Sequence, residues 1–149
     1  MHINTKAYGG LEIDERQKIT FPAGLLGFEE CREWALLDSD KPPFFWLQSL
    51  ESRDLAFILI DPFTFRPDFA LSADGSELRA IGAAGPADAL IFAIVTIPPG
   101  GALMTANLQG PLVINRETRT GLQAILSDPR WQTRHDIRAE LAAARKAPC

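Results

Sequence analysis

The stretch PFFWLQSLESRDLAFILIDP, residues 43–62, consists of two apolar runs joined by a polar segment and closed by proline at either end. Residues 44–47 and 55–60 are each short enough for a strand and rich in aromatic and β-branched side chains. Ser49, Glu51, Ser52, Arg53 and Asp54 between them read as a solvated turn. Phe57, Ile58, Leu59 and Ile60 put apolar groups on both faces of any strand they form, so the hairpin belongs inside a sandwich or barrel. The rest of the chain reads as what surrounds it.

Upstream, residues 2–5 and 10–13 are short extended segments around Tyr8-Gly9-Gly10, and residues 18–21 alternate until Pro22 stops them. FPAGLLGFEE, residues 21–30, is a turn punctuated by Pro22, Gly24 and Gly27; residues 29–33 read as a helical turn and 34–37 as the next strand. Downstream, PFTFRPDF, residues 62–69, is an ordered loop or irregular edge, and Asp74-Gly75 is a turn or the start of one helical turn ending near Gly82. ALIFAIVTI, residues 89–97, is a second central strand. Residues 104–108, 112–115 and 121–126 follow as strands, with turns at Gly110-Pro111 and at 115–118. DIRAELAAARK, residues 136–146, has high helix propensity but only Ile137 and Leu141 as an apolar stripe, which predicts a thinly docked helix. Many short strands without intervening long helices predict a mainly all-β fold, a small antiparallel β-barrel-like or sandwich domain with short helical turns and a C-terminal helix. The domain is placed at 1–137 and the tail at 138–149.

A chain of 149 residues is long enough for one domain with a real core. The N-terminus has no basic segment followed by an apolar run, and residues 89–97 are about half the length of a membrane helix, so a cytoplasmic protein with no membrane partner is expected. Cys31 and Cys149 make neither a metal spacing nor a disulfide framework and read as free thiols. The net charge of −4 divides unevenly. Residues 1–80 carry 14 acidic and 8 basic side chains and residues 81–149 carry 5 and 7, giving −6 and +2. An acidic front half disfavours direct contact with nucleic acid and favours a basic protein partner. The sequence has no glycine-rich phosphate loop, no GxSxG and no CxxC, and His2 and His135 lie near opposite ends. A set such as Ser49, Asp61 and His135 could be drawn from almost any chain of this length, so no catalytic, cofactor-binding or metal-binding residue is assigned and no enzyme is expected.

Several ordered stretches together resemble one family. ITFPAGLLGFEE at 19–30, FFWLQS at 44–49, LAFILIDP at 55–62 and TANLQGPLVIN at 105–115 resemble the flagellar assembly factor FliW family. RTGLQAIL at 119–126, with Trp131 and Arg134-His135 after it, continues the likeness, which covers residues 3–137. The resemblance implies a small antiparallel barrel-like domain and a non-enzymatic regulator without cofactors. Such a regulator binds flagellin in the cytoplasm and binds the RNA-binding translational repressor CsrA, relieving its repression of flagellin synthesis, and the two partners compete for it. The expected contact surface combines Phe45, Trp46, Gln48, Ser49 and Glu51 with Asp61, Phe63 and Asp68 and with a turn carrying Asn107 and Gln109. It rests on partly exposed apolar groups flanked by acids and amides. Two other classes are weighed. A barrel binding single-stranded nucleic acid would stack bases on Phe45 and Trp46 but lacks a basic groove around them, and a small hydrolase would need a convergent polar site that the sequence does not show.

Overall fold

The computed structural model describes residues 1–100 and 103–146. Its strands are β1 (His2–Thr5), β2 (Gly9–Glu12), β3 (Lys18–Thr20), β4 (Glu33–Asp38), β5 (Phe44–Ser49), β6 (Ala56–Ile60), β7 (Ala89–Thr96), β8 (Thr105–Asn115), β9 (Gly121–Gln123) and β10 (His135–Asp136). Two short helices accompany them, α1 (Ser76–Ala80) and α2 (Ile137–Lys146). β1 and β2 form a separate hairpin. The other eight strands make one antiparallel sheet in the order β10-β8-β7-β6-β5-β4-β3, with β9 also on β8. The β5–β6 hairpin therefore lies in the middle of the sheet, as its two-faced apolar pattern requires.

The sheet curls until its ends meet. Thr20 of β3 forms a parallel bridge with Thr120, its N–H donating to the Arg119 carbonyl at 3.0 Å, so the first strand of the sheet touches the β8–β9 turn. The curled sheet encloses Ile19, Phe21, Trp34, Leu47, Leu59, Phe92, Leu112 and Ile114, drawn from β3 to β8 and the residue after β3. Its outer face is covered twice. The β1–β2 hairpin brings Ile3 and Ile13 onto Ala35, Leu37 and Trp46 of β4 and β5. The 62–83 segment, residues 124–131 and α2 cover Ile60, Ala93, Val95, Ala106 and Leu108 of β6 to β8. Two apolar surfaces on one sheet explain why β6 and β7 lack polar alternation.

Three local expectations need correction. Residues 29–33 make no helix; Phe28 N–H donates to the Leu25 carbonyl at 2.7 Å in a tight turn, and Glu33 already opens β4. Gly110-Pro111 is not a turn, because β8 runs through it. Ile94 faces Asn107 while Phe92 faces Leu112, so residues 108–111 bulge out opposite Ala93 alone. Pro111 is tolerated where no ladder donor is needed, and the bulge finds other partners. Asn107 Oδ1 accepts from Gly110 N–H at 2.9 Å, Gln123 Nε2 donates to the Gly110 carbonyl at 3.0 Å, and Leu108 and Gln109 donate to the Gln132 carbonyl. The strand predicted over 121–126 stops at Gln123, since Ala124 and Leu126 bond to the bulge at Pro111 and Gln109 instead of extending a ladder. Cys31 is a half-buried free thiol; Cys149 lies outside the described residues.

Candidate functional site

Paired residues on neighbouring strands project to the same face, so the register sorts the candidate residues. Leu37, Trp46, Ile58, Val95, Ala106 and His135 form one row across the outer face. Phe45, Leu59, Ile94 and Asn107 form the adjacent row on the inner face. Phe45 and Trp46 thus point to opposite sides. Phe45 packs edge-on against Phe92 at 5.2 Å between centroids, inside the barrel mouth.

Trp46 lies in a gap between the two outer coverings. The N-terminal hairpin turns at Tyr8 on one side and the first turn of α2 brings Arg138 to the other, leaving a hollow of about 570 Å³. Phe44, Trp46 and Ile58 line it from the sheet, and Ile97 and Met104 from the β7–β8 connection. Ile97 is 51% exposed, and Tyr8 37% exposed. The Tyr8 hydroxyl accepts from Asp40 N–H at 3.1 Å, which ties the hairpin tip to the β4–β5 turn and fixes that wall. Asp40, Lys41 and Arg138 add charge to an otherwise apolar groove. Aromatic floor, aliphatic walls and charged margins are the make-up of a protein-anchoring surface.

The remaining candidates scatter. Gln48 is 1% exposed and Ser49 equally buried, so neither reaches a partner directly, which corrects their expected surface role. Gln48 Oε1 accepts from Lys6 N–H at 2.9 Å, and its Nε2 donates to the carbonyls of Ser49 and Arg53 at 3.0 Å. Ser49 Oγ accepts from Glu51 and Ser52 N–H. Both side chains hold the β5–β6 turn, where Glu51 is exposed. Asp61 and Phe63 lie at the opposite end of the hairpin, because Ile60 pairs with Phe44. Asp61 accepts from Phe63 N–H at 2.9 Å and caps a short turn, and Phe63 is 43% exposed, edge-on to Phe69. Asn107, paired with Ile94, and Gln109, in the bulge after it, both belong to β8 and not to a turn.

Asp68 is exposed but already partnered. Arg66 donates to its two oxygens at 2.9 Å each, and these bonds hold the Asp68 carboxyl below the usual carboxylate range. The same guanidinium donates to Glu140 at 2.6 Å and lies 4.8 Å over the Trp131 ring. His135 is buried and faces Glu140 through Nδ1 at 2.9 Å. Its Nε2 accepts from Gln132 N–H at 2.9 Å, so the ring carries its proton on Nδ1, donating to the carboxylate. Ser49, Asp61 and His135 sit in three separate surroundings and form no triad. Among the described residues no group of three or more His, Cys, Asp or Glu side chains could hold a metal ion, and no helix is long and apolar enough to cross a membrane.

The family model described as FliW protein matches residues 2–137. The chain belongs to the FliW family. It is 56% identical over 144 residues to the flagellar assembly factor FliW of Treponema denticola, covering 97% of this chain and 98% of that one. It is 46% identical over 145 residues to the flagellar assembly factor FliW of Treponema pallidum, with 97% of each covered. A crystal structure of the flagellar assembly factor FliW superimposes with a TM-score of 0.81 at 35% identity, covering 92% of this chain and 96% of the other. The barrel with its two outer coverings is thus a FliW fold. Sequence reading found Trp46 but missed its neighbours Tyr8, Ile97, Met104 and Arg138. Only Ile97 carried a signal, as a large apolar residue set at the end of a strand against Pro98-Pro99.

Proposed function

We propose that this protein is a cytoplasmic, non-enzymatic flagellar assembly factor that binds flagellin and the translational regulator CsrA. Flagellin, by occupying it, governs how much remains free to hold CsrA and relieve repression of flagellin synthesis. The observation that carries the reading is the Trp46 groove. In a chain of this family, a half-buried indole between exposed apolar walls supports anchoring of a partner's apolar segment. Trp46, Asp61 and Phe63 lie toward the groove end of the hairpin and contribute contact there; Glu51 contributes charge at the other end. Phe45 and Asn107, in one row of the inner face, offer a second patch, Gln109 contributes from the β8 bulge beside them in sequence, and Gln48 and Ser49 act from behind by holding the β5–β6 turn. Asp68 contributes through its pair with Arg66. The acidic 1–80 half supports pairing with a basic RNA-binding regulator.

Calorimetric titration with flagellin and with CsrA, each alone and then in the presence of the other, tests this. Both bind, each weakens the other, and Trp46→Ala lowers affinity for at least one partner about thirtyfold, the equivalent of a ~2 kcal/mol anchor. Ile97→Ser, at an exposed position, repeats the loss without touching the core. Absence of binding at low and at physiological salt would remove the function and leave the fold. Full affinity in both variants would move the site away from the groove.

A further inference from the structure

The seam that closes the barrel gathers three arginines. Arg16, just before β3, donates from Nη1 to the Glu117 carbonyl at 2.8 Å and from Nη2 to the Arg116 carbonyl at 3.1 Å. Arg116 donates from Nε to the Ala87 carbonyl at 3.2 Å. Arg119 follows in the same turn at φ 61°, a left-handed conformation that a residue with a Cβ adopts at a cost. No carboxylate among the described residues lies within ion-pair distance of any of the three. Arg119 Nε is fully buried without a hydrogen-bond partner, alone in this among the described side-chain polar atoms. Burial first, and then the charges of Arg16 and Arg116, hold the Arg119 guanidinium below its ordinary pKa. Arg16 and Arg116 also line a hollow of about 550 Å³ together with Asn115 and Gly82, and the exposed Asp88 and Glu117 line it too.

A protein whose net charge is −4 has acids enough to pair these cations, yet it clusters them and leaves one donor buried and unused. We propose that the Arg16–Arg116–Arg119 seam is a second binding site, separate from the Trp46 groove, that takes the carboxylate side chains of an acidic segment on a protein partner. The fork of guanidinium donors matches a carboxylate in bidentate fashion. A nucleic-acid backbone asks instead for a continuous basic track, which Asp88 and Glu117 interrupt. The site stands or falls independently of flagellin and CsrA binding.

The test titrates the full chain with hexaglutamate, with a single-stranded oligonucleotide and with inorganic phosphate at low salt, comparing it with Arg119→Gln and Arg53→Gln. Arg53, an exposed arginine of the β5–β6 turn, gives a control of equal net charge. Hexaglutamate binds the parent and Arg53→Gln alike and binds Arg119→Gln at least tenfold more weakly. Without ligand, Arg119→Gln melts no lower than Arg53→Gln, because the charge removed had no partner. Equal hexaglutamate affinity in all three chains, or none at low salt, overturns the site. So does Arg119-dependent binding of the oligonucleotide, or of phosphate as tightly as the peptide. A markedly lower melting point for Arg119→Gln would make the residue structural and overturn it as well.

Discussion

Gln48 shows what a single residue decides in this fold. Its position in β5 calls for an apolar group under the N-terminal hairpin, yet its amide joins Lys6 N–H to the carbonyls of Ser49, Ser52, Arg53 and Leu55. The hairpin and the β5–β6 turn are thereby fastened to one side chain. Replacing it with leucine takes the partner from Lys6 N–H and from the Arg53 carbonyl, while the Ser52 and Leu55 carbonyls keep their backbone donors, so Gln48→Leu lowers unfolding free energy by about 2–4 kcal/mol in denaturant titration. A loss below about 0.5 kcal/mol would mean that water replaces those bonds. The residue was legible as polar at a strand end but not as buried, because its partner Lys6 lies 42 positions away. Gly121 makes the same point through space. A Cβ there would meet Ile114 Cγ1 and the Val113 carbonyl oxygen at 2.8 Å, where β9 folds tightly back on β8. Gly121→Ala therefore costs about 1–3 kcal/mol, read as a lowered Tm with the native circular dichroism spectrum retained.

Among the elements, the central hairpin could be read in the sequence and the β8 bulge could not. Residues 44–47 and 55–60 carry their pattern in consecutive side chains, whereas the bulge depends on Asn107, Gln123 and Gln132 supplying partners from elsewhere in the chain. Gly110-Pro111 alone gives the signal of a turn in either case. The thin apolar stripe of α2 was also legible, but not the ionic contact that reinforces it. Ile137 is buried, Leu141 packs on the same cluster, and Glu140 receives both Arg66 and His135. Glu140→Ala consequently loosens α2 first. Amide hydrogen exchange across residues 137–146 speeds up while β5 to β8 keep their protection, and uniform acceleration instead would show that the helix and sheet open together. The neighbouring Asp68 adds a pH dependence. Arg66 holds its folded pKa below the unfolded value, so its stabilisation is present in full above the ordinary carboxylate range and is lost as pH falls through the depressed folded value. Asp68 is half-exposed, so the effect is small. Asp68→Asn melts lower than the parent at neutral pH, and the difference closes as the pH falls below the ordinary carboxylate range.

At the scale of the whole molecule, charge and shape act separately. The −6 carried by residues 1–80 is spread over the N-terminal hairpin, β3 to β6 and the segment after them, so it does not mark one contact. Glu51 and Asp61, both expected to face a basic partner, lie at opposite ends of the β5–β6 hairpin, about 20 Å apart at 3.3 Å per strand residue. That separation exceeds the screening length at physiological salt, which makes the two positions independent reporters. If the acidic half steers CsrA by its summed field, Glu51→Lys and Asp61→Lys each slow association to a similar degree and flatten its salt dependence, leaving dissociation unchanged. If instead CsrA seats at the groove end, only Asp61→Lys raises the dissociation rate, and the change persists at high salt. We expect the second pattern for Asp61 and the first for Glu51, because the Trp46 groove opens at the end of the sheet where Phe44 pairs with Ile60 and Asp61 follows. Stopped-flow association at about 0.05 M and about 0.5 M salt separates them. Identical dissociation rates for both variants at both salts would detach the groove from CsrA.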